Sequence, residues 1–210
     1  TNHLSFDEII RRLSPAYGVP RPPRHYDPIS ELIFTVLSQH TSDVNSYRAF
    51  DSLCRRFHSW EEVVRADVDL LTNTIHIGGL GTVKAIRIQE ILQTIVKKQG
   101  SWNLGFLAKM PIEEAKKWLM DLPGVGPKTA ACVLLFSLNM PAMVVDTHVH
   151  RVSKRLNLIG KKVSADDAHH ILEAKIPSED ILRVHMYLIA HGRDTCKAQF
   201  PICLGCRLEA

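Results

Sequence analysis

Apolar residues recur at three- and four-residue intervals along nearly the whole chain, the spacing of helices with one buried face. Caps and breakers divide that pattern. Ser5 caps a first helix that ends near Leu13. Residues 17–28 follow as a connector in which Pro20, Pro22, Pro23 and Pro28 sit beside Arg21, Arg24 and His25. Asp27-Pro28 reads as the cap and first turn of an apolar helix over residues 29–37. A polar loop, Ser38-Gln39-His40-Thr41-Ser42-Asp43, leads into a helix reaching about Phe57. Ser59 and Glu62 have capping-box spacing, and Asp67 can cap the helix after that. The turn Ile77-Gly78-Gly79-Leu80-Gly81-Thr82 precedes a helix through Val96, with Ala85, Ile88, Ile91, Leu92 and Ile95 on its inner side. Pro111 starts a further helix, and later ones cover roughly residues 147–158, 166–174 and 178–191. Strand-like alternation and hairpin signals are absent from the sequence, so the expected fold class is all-α.

Two of these helical patterns meet at the turn Leu122-Pro123-Gly124-Val125-Gly126. Ala115, Trp118, Leu119 and Leu122 lead into it; Ala130, Ala131, Val133, Leu134 and Leu135 continue beyond it as a nearly all-apolar helix. Pro123 and the glycines forbid one continuous helix, and Pro127 suits the first turn of the second. The amides of Val125, Gly126 and Lys128 are expected near that helix start without intrahelical partners. A helix start with open amides and a positive dipole end holds an anion, and a phosphate fits it. A lone G-x-G more often marks a tight αα-corner with no ligand. The full string from Leu122 to Ala130, LPGVGPKTA, is more specific, since it joins turn, proline, lysine and small-residue contacts in one order.

Composition narrows the partners. At 210 residues the chain has room for one large or two small domains, and 45% hydrophobic with 23% charged residues places it among ordinary globular proteins. A net charge of +4 is compatible with nucleic acid without being diagnostic. No apolar run reaches the length of a membrane span, and Thr1-Asn2-His3 carries no secretory signal, so no membrane partner is expected. Five cysteines, three of them crowded at the end, do not resemble a secreted disulfide scaffold, and a cytoplasmic, reducing setting is expected. Cys196, Cys203 and Cys206 form a C-x6-C-x2-C pattern whose spacing points to a metal. His191 would complete a Cys3His zinc set by composition. Cys54 and Cys132 fall in helical patterns and read as inert core residues.

The string LPGVGPKTA resembles the helix-hairpin-helix of DNA repair glycosylases, and Val145-Asp146-Thr147-His148 extends the likeness to the endonuclease III family. The resemblance spans nearly the whole chain. It implies two helical domains with a DNA-binding cleft between them: a barrel over residues 24–140 containing the hairpin, and residues 1–23 with 141–210 as a second domain ending in the cysteine loop. It also implies a monomeric base-excision repair enzyme, a DNA N-glycosylase and abasic-site β-lyase removing oxidised pyrimidines from damaged or abasic duplex DNA. The adenine-mismatch branch commonly lacks the lysine and adds a C-terminal domain, and neither trait is seen in this sequence. A non-catalytic hairpin module that only binds DNA is the alternative outside enzymes; the joint presence of Lys128 and Asp146 argues against it.

Residue by residue, the resemblance makes Lys128 the nucleophile and Asp146 the carboxylate that stabilises the cationic sugar. Without it, Lys128 reads as a solvated counter-charge and Asp146 as a helix cap. A lysine amine that attacks a sugar C1′ must be neutral, so its pKa has to fall from ~10.4 to about 7–8, worth about 4 kcal/mol. A helix N-terminus supplies about 0.3–1 kcal/mol, which leaves the larger part to burial against DNA. Gly124, Val125 and Gly126 would grip the phosphate backbone. Family members fill the space of the extruded base with a polar plug and an apolar wedge; His40, with Gln39 one place earlier, matches the plug, and Leu80 the wedge. Arg151, Lys154 and Arg155 would offer a charged face to phosphate, and Lys197 another contact. His148 and His150 read as groove or packing residues. Cys196, Cys203 and Cys206 match the first three ligands of a four-iron, four-sulfur cluster, whose fourth cysteine would fall two places beyond Ala210. Zinc ranks below that cluster, because the family has histidine in the His191 segment without using it as a ligand.

Overall fold

Local hydrogen bonds set where the helices begin. Ser5 Oγ accepts from the Glu8 amide at 3.2 Å and opens α1 (Phe6–Tyr17). Asp27 accepts from the amides of Ile29 and Ser30 at 3.1 and 3.2 Å, with Pro28 in the first position of α2 (Pro28–Ser38). Ser42 opens α3 (Asp43–Arg56), Ser59 opens α4 (Trp60–Arg65) and Asp67 opens α5 (Val68–Ile75), each through its side-chain oxygen. The remaining helices are α6 (Gly81–Gln99), α7 (Ile112–Met120), α8 (Pro127–Cys132), α9 (Thr147–Arg155), α10 (Ala165–Glu173) and α11 (Ile181–Asp194). The computed structural model describes residues 4–22 and 25–209, and among these no strand forms: the fold is all-α. The expectations for Thr1-Asn2-His3, for Pro23 and Arg24 with the domain boundary placed there, and for Ala210 lie outside the described residues.

Two helices depart from the pattern. The first runs past Leu13 to Tyr17 with Pro15 inside it. Pro15 has no amide for the Arg11 carbonyl, and the Ser14 hydroxyl donates to that carbonyl instead, at 3.4 Å. Gly18, at φ +67°, then ends the helix. The apolar helix after the hairpin turn is α-helical only to Cys132; residues Val133–Ser137 continue as a wider π turn.

The chain forms two compact units, Tyr26–Leu138 and the paired ends Thr1–His25 with Asn139–Ala210. In the first, α2 is the central helix, packed on α3, α8 and the π turn, with Leu32, Ile33 and Leu37 wholly buried. Each such side chain removes apolar area worth about 1.5–3 kcal/mol. The inner side of α6 is as expected: Ala85, Ile88, Ile91, Leu92 and Ile95 have no exposure. Gln89 on the same helix donates to the carbonyls of Val63 and Ala66 at 3.0 and 2.8 Å, fastening the end of α4.

In the second unit, α11 packs against both α1 and α9. Its approach to α9 needs Gly192, because a Cβ there would lie 2.9 Å from the His148 Cβ. Against α1, the Tyr187 hydroxyl donates to the Gly18 carbonyl at 2.8 Å.

Candidate active site and nucleic-acid interface

The hairpin turn lies between α7 and α8. Leu122 is buried, Gly124 takes φ +68°, and Gly126 is the extended residue before Pro127 opens α8. The first rung of that helix is the Ala130 amide on the Gly126 carbonyl, at 3.0 Å, so the amides of Lys128 and Thr129 precede the ladder. The Val125 amide does not share this openness. It donates to the Leu122 carbonyl at 3.2 Å, because the chain must close a tight turn before the helix starts, and the Val125 side chain is buried. Lys128 is exposed. Arg87 of α6 lies across the turn: a Cβ on Gly124 would come within 2.5 Å of its Nη1. The sequence reading missed this neighbour, which adds a guanidinium to the hairpin.

Asp146 belongs to the other unit and begins α9. Its Oδ1 accepts from the Val149 amide at 2.7 Å, so the capping geometry is present and the carboxylate is half-buried. The buried segment 142–145 that delivers it is held on both sides. Glu173 Oε2 accepts the Met143 amide at 2.8 Å, while His169 and His185 donate their Nδ1 protons to the carbonyls of Met143 and Val144 at 2.6 and 2.9 Å. These three residues went unremarked in the sequence, although His169 lies between Ala168 and Leu172 on the buried side of α10.

The two loops expected to read the lesion meet within the first unit. Gln39 ends α2 and is half-buried; His40 is exposed at φ +53°; Leu80 is 60% exposed at φ +50°. Between them lies Lys84, a residue the sequence reading passed over, with its Nζ 2.7 Å from the Leu37 carbonyl and 2.8 Å from the Gly78 carbonyl. Its register was the available signal, since Lys84 falls on the stripe of Ile88, Ile91 and Ile95.

Two arginines of the charged face of α9 reach the tail. Arg151 donates to the carbonyls of Cys196 and Gly192 at 3.0 and 2.8 Å, and Arg155 to those of Lys197 and Ala198 at 2.6 and 3.1 Å. Arg151 is half-buried by these contacts, whereas Arg155 remains exposed. Lys197 itself is exposed. His148 Nδ1 lies 3.1 Å from Arg151 Nη2, and His150 Nε2 bonds the Val163 carbonyl at 3.0 Å, so both act in packing.

The cysteines do not assemble. Cys196 Sγ accepts from Arg155 Nη1 at 3.3 Å, Cys206 Sγ sits 3.5 Å from His191 Nε2, and Cys203 is exposed. Burial pushes the His191 pKa down, against the opposing effect of Asp194. Among the described residues no three His, Cys, Asp or Glu side chains are grouped so as to hold a metal ion. The donor types suit the four-iron cluster, or zinc, but their placement fits neither. Cys132 is buried as expected, whereas Cys54 is exposed on the outer side of α3. Partial desolvation, then Asp51 and Asp27, push the Cys54 thiol up in pKa.

A family model for the HhH-GPD superfamily base excision DNA repair protein matches residues 33–178. An Arabidopsis thaliana protein named "Putative DNA glycosylase" is 36% identical over 84% of this chain, which spans only 57% of that relative. Endonuclease III of Thermotoga maritima is 34% identical over 96% of this chain and 87% of its own length. A solved structure of a trapped Endonuclease III–DNA covalent intermediate superposes with a TM-score of 0.83 at 29% identity, covering 96% of this chain and 91% of that one. The chain therefore belongs to the HhH-GPD superfamily of base excision DNA repair proteins, within its endonuclease III family.

Proposed function

We propose that this chain is a base-excision repair enzyme, a DNA N-glycosylase and abasic-site lyase, acting as a monomer on duplex DNA that carries oxidised pyrimidines or abasic sites. The observation that carries the reading is Lys128, an exposed amine two residues past Gly126 at the opening of α8, directly after a turn with a positive-φ glycine. Family membership supports the reaction type.

In the reaction, the lone pair of Lys128 Nζ attacks the sugar C1′. The glycosidic electron pair leaves with the base, which takes up a proton. Ring opening then gives a Schiff base between Nζ and C1′. Loss of a C2′ proton forms the C2′–C3′ double bond and expels the 3′ phosphate, cutting the strand on the 3′ side of the lesion. A negative carboxylate at Asp146 favours the positive charge that builds on the sugar as the base departs. The amides at the start of α8 grip the phosphate backbone and position without reading sequence. Lys128 is open to water in the free chain, so the amine is desolvated only when DNA covers it. No step runs through a metal.

The test is borohydride reduction on DNA with an abasic site, which fixes the Schiff base as a covalent adduct. The wild-type chain should be trapped, and Lys128→Gln should lose both adduct and strand cleavage while still binding the abasic duplex. An adduct at wild-type yield in Lys128→Gln would overturn the assignment.

A further inference from the structure

Lys84 projects from the apolar stripe of α6 and is 4% exposed. Its ammonium donates to the Leu37 carbonyl at 2.7 Å, the Thr41 hydroxyl at 2.7 Å and the Gly78 carbonyl at 2.8 Å. Three acceptors use all the protons an ammonium has. They come from two separate stretches of chain, the end of α2 with its following loop and the turn before α6. Thr41 closes the ring by donating to the Gly78 carbonyl, with the Gln39 carbonyl 3.1 Å from the same hydroxyl. Gly78 is itself pinned, since a Cβ there would sit 3.2 Å from the Ala49 Cβ.

The position is costly for a lysine, and burial pushes its pKa down. A buried cation survives when its protons are matched, and here two carbonyls and a hydroxyl match them. The backbone turns left-handed at a residue other than glycine inside the first bonded stretch, His40 at φ +53°, and just beyond the second, Leu80 at φ +50°. Both of these residues are exposed. Such conformations persist where the surroundings over-determine them.

We propose that Lys84 is a positioning residue that locks the loop of residues 38–41 to the turn of residues 76–80, so that His40 and Leu80 form one rigid head held at fixed spacing. The consequence for base extrusion rests on the glycosylase reading above; the lock itself rests on the three hydrogen bonds. A base that must leave the stack needs both probes at once, whereas an abasic site offers no base to extrude.

Amide hydrogen exchange on the free chain tests the lock without using activity. Lys84→Met keeps the side-chain length and removes the donors; Thr41→Val removes the bridging hydroxyl without disturbing the core. Residues 37–41 and 76–80 should lose protection together, strongly in Lys84→Met and less in Thr41→Val, with residues 122–130 at wild-type protection. Loosening of one stretch alone, of neither, or of the hairpin in parallel would overturn the proposal. In single-turnover kinetics, Lys84→Met should slow removal of an oxidised pyrimidine by about tenfold or more, while trapping on a preformed abasic site stays within about twofold. Equal losses in both reactions would reduce Lys84 to a general core residue. A wild-type chain that neither excises nor traps would sink the glycosylase reading, and the exchange data would still decide the lock.

Discussion

At Asp146 two jobs fall on one carboxylate, and a single substitution separates them. Oδ1 caps α9 through the Val149 amide. Asparagine caps about as well, so Asp146→Asn should leave the thermal midpoint nearly unchanged while single-turnover excision drops by orders of magnitude. Asp146→Ala should lose about 1 kcal/mol of stability as well. An Asp146→Asn chain with wild-type excision rates would make the residue a cap alone. Gly124 makes the complementary case for a residue without a side chain. Gly124→Ala strains a φ of +68° by about 1–2 kcal/mol and drives a methyl against Arg87. DNA affinity should fall alike for damaged and undamaged duplex, and Arg87→Ala in the same chain should relieve the collision but not the backbone strain. Recovery of full stability in that double variant would show that φ carries no cost there. The turn position of Gly124, the cap at Asp146 and the surface place of Lys128 were legible because motif and turn chemistry mark them. Lys84 was not: lysine usually reads as surface, and its buried register becomes meaningful only when carbonyls from two distant stretches converge on it.

Helix starts were legible in the sequence for a related reason. Ser5, Asp27, Ser59 and Asp67 bond amides two or three positions ahead, so the information is local. The π turn at Val133–Ser137 left no such mark, because an all-apolar run satisfies either helix. The tail contacts of the α9 arginines left no mark either, because the carbonyls they meet lie 45 and 42 residues away in sequence. A similar clasp operates at α1, where Arg12 donates to the carbonyls of Glu209 and Arg207 at 3.0 and 3.4 Å. Glu8 holds Arg12 in place. Hydrogen bonds from Arg11 and Arg12 lower the Glu8 carboxyl from 4.5 to about 2. A carboxyl depressed by folding stabilises fully above its unfolded value and loses that effect as pH falls from 4.5 through about 2. Acid should therefore free residues 207–209 to proteolysis or exchange across that window, and Glu8→Gln should show the freed tail already at neutral pH. Equal tail protection in Glu8→Gln and wild type would remove Glu8 from the clasp.

On the scale of the whole molecule, the unit Tyr26–Leu138 is continuous in sequence, and the other is made from the two ends. All-α class followed from periodicity; which helices share a unit did not, because pairing of α1 with α11 is a contact over 169 residues, seen at Tyr187 and Gly18. The fragment 26–138 should fold alone, with a cooperative thermal transition by circular dichroism; a broad, non-cooperative melt would deny it independence. The split unit has a consequence in time. At roughly 5–20 residues per second of synthesis, α1 leaves the ribosome some ten to thirty seconds before the partner residues of α11 exist. During that interval Ile9 and Leu13, later wholly enclosed, have nothing to cover them. The newborn chain thus carries an uncovered apolar stripe next to a half that can already be folded, a surface of the kind a chaperone holds.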